Sequence, residues 1–173
     1  VNLEGFGMAK TRPESAPKRL NQWLDELRSQ RSGAMALSSY ADRQGVMQRL
    51  MKNNRRLTQD KADWLSHHWG YEADDGRWHI RGDSAHKVVN AQLSRLEEVL
   101  ALYQNIQVPT LFVEAEDCSL DQWWNGKFKL DEFHARLDHV RGIQRIKIAD
   151  TGHMLHHDQP QAVARAIEAH LAS

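Results

Sequence analysis

Three histidines fall within five residues near the end of the chain, His153, His156 and His157 in the run GHMLHHDQPQAVARAIEAHL at 152–171. An imidazole moves protons near neutral pH and is also a common zinc ligand. The H-x-x-H-H spacing alone does not complete a metal site. No cysteine pair or second histidine cluster adds ligands at a recognisable spacing, and Asp158, beside Pro160, is in place for an ordinary helix cap. No metal and no cofactor is expected, and His156 and His157 read as structural or pocket-rim residues. His153 is different. It lies between a strand-like run ending at Asp150 and a helix starting near Pro160, on a loop that a rigid scaffold would aim. That is the placement a general base needs, although a turn histidine would occupy it equally well. Carboxylates that could partner it are Glu4, at the end of the opening apolar run, and Glu114, Glu116 and Asp117, around the end of TLFVEA.

The elements that position these groups follow from periodicity. Val1–Phe6 reads as a short strand. Leu20, Trp23, Leu24 and Leu27 fall on one face of a helix, and Val46, Met47, Leu50 and Met51 on one face of a second. Thr58 suits the N-cap of a third helix carrying Ala62, Trp64 and Leu65, which Gly70 would end. Asp75-Gly76 marks a turn before a short extended piece, Arg77–Arg81. A fourth helix carries Leu93, Leu96, Leu100 and Tyr103. TLFVEA is nearly continuous in apolar character, as a parallel strand covered on both faces would be. DEFHARLDHV is a helix, RIKIAD a strand, and Pro160 opens a last helix with Val163, Ile167 and Leu171 on its inner face. The order is strand, four helices, strand, helix, strand, helix. The fold class is α/β, with a helical block inserted between the first two of three mostly parallel strands.

Composition excludes several classes. The 23 basic and 23 acidic residues balance, so nothing draws the chain to nucleic acid or an anionic membrane at long range. No apolar run approaches the roughly 20 residues of a membrane span. Cys118 is the only cysteine, which rules out an internal disulfide and fits a reducing, cytoplasmic setting. Trp123-Trp124 could line a pocket. The Arg-Gly-Asp at 81–83 reads as chance.

Three stretches together resemble the C-terminal part of the α/β-hydrolase family. GHMLHHDQPQAVARAIEAHL is similar to its final strand-to-helix segment, VPTLFVEAED to the preceding strand, and VNLEGFGM to the strand before the cap insertion. The resemblance implies a partial hydrolase core at 1–14 and 106–173 and a helical cap at 15–105. It implies a nucleophile–His–acid triad acting on a carboxylic ester or related bond of a small-molecule substrate, with His153 as base. The family's common acid position after the second strand holds Cys118 here, and Asp117 is one residue early. Some members, including a branch of the haloalkane dehalogenases, carry the acid after the strand that matches LEGFG. Glu4 is therefore preferred over Asp117 as the acid. No G-x-S-x-G nucleophile elbow occurs in residues 1–173. The expected nucleophile, Ser or an Asp as in dehalogenases and epoxide hydrolases, then lies in a missing N-terminal part of the same hydrolase, which becomes the expected partner. A non-catalytic helical interaction module is the reading from another class.

Overall fold

The computed structural model describes residues 1–172. The chain starts with β1 (Asn2–Leu3) and continues into α1 (Ala16–Arg31), β2 (Ser39–Tyr40), α2 (Arg43–Asn53) and α3 (Gln59–Trp69). A hairpin of β3 (Gly70–Glu72) and β4 (Trp78–Ile80) follows, then α4 (Leu96–Gln104), β5 (Leu111–Ala115) and a single turn, α5 (Leu120–Trp123). The last elements are α6 (Leu130–Leu137), β6 (Gln144–Ile148), the turn α7 (Leu155–Asp158) and α8 (Pro160–Leu171). Two compact units result: Val1–Thr11 with the chain from Ser94 onward, and Arg12–Leu93. α4 belongs to the first, where Tyr103 packs on the aromatic core.

The first unit holds the parallel sheet, in the order β1-β5-β6. Leu3 pairs with Val113, and Ala115 with Ile148. All five residues of β5 are buried, because it is the middle strand and both faces are covered. Alternation sorts its side chains. Phe112 joins Phe6, Leu120, Phe128, Phe133 and Leu137 on one face, while Leu111 and Val113 meet Ile148, Leu155 and Val163 on the other. β6 is an edge strand, and only Ile148 in it is buried. The other edge is β1, shorter than the run Val1–Phe6 suggests. Glu4 has a left-handed backbone (φ 55°) that ends the strand, and Phe6 turns into the aromatic core. Leu171, expected on the inner face of α8, is 76% exposed. It lies in the last turn, beyond the buried Val163.

The second unit combines helices with strands. It contains an antiparallel sheet of order β2-β4-β3, in which the extended piece near Arg77–Arg81 pairs on both sides. Gly76 (φ 71°) allows the tight turn between β3 and β4. α2 and α3 pack through Val46, Met47, Leu50, Ala62 and Leu65. Arg43 Nη1 ties them by donating to Asp63 Oδ1 (2.6 Å) and Ser66 Oγ (2.7 Å). The apolar face of α1 forms as a pattern but no residue of that helix is buried.

Candidate active site

The parallel strands end on one rim, and two loops there are held by specific contacts. At the end of β1, the Glu4 N–H donates to Val113 O (3.1 Å). The next residues fold back over Asn2, whose Oδ1 accepts from Gly5 N–H (2.8 Å) and whose Nδ2 donates to Gly5 O (3.0 Å). A Cβ at position 5 would push against that amide, so any larger residue there would displace the Asn2 side chain from these hydrogen bonds. At the end of β6, Asp150 has a left-handed backbone (φ 53°). Its N–H donates to Glu116 Oε2 (2.7 Å). The buried Thr151 hydroxyl donates to Ile148 O (2.6 Å) and accepts from Glu116 N–H (3.3 Å). Gly152 N–H donates to Asp158 Oδ2 (2.8 Å). Both loops are thus fixed by the sheet and by α7, and His153 follows directly.

Glu4 and His153 face each other across this rim. Glu4 is 1% exposed. Its Oε1 accepts from Ala115 N–H (2.7 Å), and its Oε2 lies 3.6 Å from His153 Nδ1. Oε2 and Nδ1 are both buried and have no hydrogen-bond partner among the described residues. They are aimed at each other just beyond hydrogen-bonding distance, which is common in unliganded catalytic pairs. Trp123 covers the imidazole edge-on, with ring centroids 4.1 Å apart.

Burial shapes the electrostatics. It pushes the Glu4 carboxyl up to about 7, opposed by the Ala115 N–H, raised further by the Glu114 charge and lowered by Lys147. Burial also pushes His153 below the ordinary histidine value, helped by the His156 charge. A neutral imidazole whose Nδ1 faces a carboxylate has its Nε2 lone pair available as a base.

The other candidates fall elsewhere. Asp117 is exposed, and its backbone N–H donates to Thr151 O (3.0 Å). The carboxylate opposite Nδ1 is that of Glu4. The His156 and His157 rings meet edge-on with centroids 4.3 Å apart, and His157 is buried. Among the described residues no group of three or more His, Cys, Asp or Glu side chains could hold a metal ion. Nor is any described helix long and apolar enough to cross a membrane.

One cluster escaped the sequence analysis. Glu114, 5% exposed, binds Lys147 Nζ through Oε1 (2.7 Å) and His134 Nε2 through Oε2 (2.6 Å). Burial alone would raise its pKa, but the Lys147 and His134 hydrogen bonds and charges outweigh that and hold it below the usual glutamate value. The available signal was a charge inside a fully buried strand, which demands a partner.

Solved structures are similar to this chain in fold. The hypothetical protein PA1622 from Pseudomonas aeruginosa PAO1 matches with a TM-score of 0.75 and 20% identity, over 96% of this chain and 56% of that one. A thioesterase domain from the curacin biosynthetic pathway matches with a TM-score of 0.69 and 19% identity, over 92% and 54%. E-2-(acetamidomethylene)succinate hydrolase matches with a TM-score of 0.64 and 15% identity, over 96% and 55%. The fold is that of the C-terminal part of an α/β-hydrolase. The chain spans little more than half the length of these structures. No family model and no curated protein matches it. On this α/β-hydrolase sheet, Glu4 and His153 both stand at the carboxyl ends of strands, where ligands and catalytic groups collect in open α/β folds.

Proposed function

We propose that the chain supplies the base and acid of a hydrolase that cleaves a carboxylic ester or related acyl bond of a small molecule. The observation that carries this reading is the buried Glu4 Oε2 opposite His153 Nδ1, 3.6 Å away. In the complete enzyme a serine from polypeptide outside residues 1–173 attacks the substrate carbonyl carbon. His153 Nε2 takes the serine proton as the new C–O bond forms. The Glu4 carboxylate holds Nδ1–H and stabilises the imidazolium. The carbonyl re-forms, the bond to the leaving alcohol breaks, and His153 returns the proton to that alcohol. Water then attacks the acyl-enzyme by the same relay, releasing acid and free serine. The single cysteine favours a cytoplasmic setting.

The test is turnover of p-nitrophenyl acetate by the complete protein, with and without His153→Ala, together with labelling by a fluorophosphonate. Loss of both turnover and labelling in the variant is expected. Turnover without labelling would point instead to an aspartate nucleophile. Turnover undiminished in His153→Ala would overturn the reading.

A further inference from the structure

Two glutamates stand side by side at the rim of the parallel sheet. Leu3 pairs with Val113, so Glu4 and Glu114 occupy the next positions on adjacent segments. Both are buried, and two desolvated carboxylates this close do not ionise together without a compensating cation. Glu114 is hydrogen-bonded to Lys147 and His134. Glu4 has only the Ala115 N–H and the facing His153 Nδ1.

We propose that Lys147 is a positioning residue for the Glu4–His153 pair: by balancing the charge of Glu114, it lets Glu4 carry the negative charge that orients the imidazole. The proposal rests on the reading of Glu4 and His153 as acid and base. Lys147 suits the role because its ammonium stays charged throughout the neutral range, and its hydrogen bond to Glu114 raises its pKa further. A histidine loses its charge there.

The consequence is chemical. Without Lys147, only the His134 contact offsets the Glu114 charge, and more of that charge acts on Glu4, adding to the burial that already favours its neutral form. A protonated Glu4 presents an O–H donor to Nδ1. The imidazole must then accept there and carry its proton on Nε2, which blocks uptake of a proton from any nucleophile. The other titratable groups around the pair are the Cys118 thiol with Asp121 beside it, Glu116 near Lys147, and His156 near His153.

The experiment is a 13C NMR titration of the Glu4 carboxyl in the 173-residue chain. Lys147→Met should raise its midpoint by about one pH unit or more. Lys147→Arg should restore the wild-type curve. Glu114→Gln removes the like charge and should shift the midpoint the opposite way, downward. An unchanged Glu4 midpoint in Lys147→Met or in Glu114→Gln overturns the proposal. If Lys147→Met fails to fold, the sign of the Glu114→Gln shift decides alone. The titration needs no turnover, so it stands apart from the hydrolase reading. An active His153→Ala complete enzyme would sink that reading and leave the titration result intact.

Discussion

Glu4 and His153 lie on the two edge segments of the parallel sheet, and β5 sits between them. Glu4 reaches across by fixing one carboxylate oxygen on Ala115 N–H, at the end of β5, which turns the other toward His153 Nδ1. The middle strand therefore supplies the backbone donor that aims this carboxylate. In the complete enzyme, Glu4→Gln should lower kcat by about 10²–10⁴, because the amide no longer fixes the tautomer or stabilises the imidazolium. Asp117→Asn should change kcat by far less, since the carboxylate opposite Nδ1 is Glu4's. The reverse ranking in steady-state kinetics would move the acid to the loop after β5.

Phe133 holds the aromatic core behind that rim. It is fully buried, with its ring 5.0 Å from Phe6 and 5.1 Å from Phe112. Phe133→Ala should cost about 3–5 kcal/mol by leaving a cavity under β5. Urea unfolding followed by near-UV circular dichroism measures it, and a loss below about 1 kcal/mol would mean the site collapses around the gap.

The second unit offers a graded test of helix capping. The Asp42 side chain accepts from Gly45 N–H at 2.9 Å at the start of α2, while the Thr58 hydroxyl accepts from Lys61 N–H at 3.5 Å at the start of α3. Replacing a good N-cap by Ala costs about 1 kcal/mol. Asp42→Ala should therefore destabilise this unit by about that much and Thr58→Ala by less. Equal losses in chemical denaturation would show that the longer contact tightens in solution.

How far the sequence reached depended on how local each feature is. β5 was legible because a middle strand covered on both faces needs apolar residues throughout. β2 was not, since Ser39 and Tyr40 are a strand only through pairing with His79 and Trp78. The face of α1 was legible as spacing, but spacing does not say whether Leu20 and Leu24 find cover. Glu4 and His153 could be named because parallel strands end on one rim. Lys147 and His134 could not, because their contact with Glu114 depends on the β5–β6 register and on how α6 packs. The contact of Trp123 with His153 also depends on tertiary placement, although the Trp pair itself was visible.

Trp123 supplies part of the burial that depresses His153. With an aromatic ring 4.1 Å from the imidazole, Trp123→Ala should rehydrate His153 and raise its pKa toward the ordinary histidine value. NMR titration of the His153 ring protons reads this directly. No upward shift would assign the desolvation to other neighbours.

The pH dependence of stability should carry the signature of Glu4. Its carboxyl titrates at about 7 in the fold against an ordinary value of 4.5. Between those values the folded state binds a proton that the unfolded state has released. The contribution is fully present below pH 4.5 and is lost as pH rises through about 7. The difference corresponds to roughly 3 kcal/mol. His153 and His156 act in the opposite sense. Their pKa values are lowered by burial from 6.5, so they favour the fold above 6.5 and oppose it as pH falls. Comparing wild type with Glu4→Gln cancels the His156 contribution and reads Glu4 together with its coupling to His153, which it faces at 3.6 Å. Glutamine cannot ionise and retains an oxygen that can accept from Ala115 N–H. The two proteins should melt together near pH 5. At pH 8, Glu4→Gln should melt higher by about 5 °C or more. A melting difference that stays flat from pH 5 to pH 8 would show that Glu4 is already ionised across the range. If the difference appears, the substitution that stabilises the fold at pH 8 is the same one that should lower turnover, because the charge that costs the fold stability is the charge proposed to orient His153.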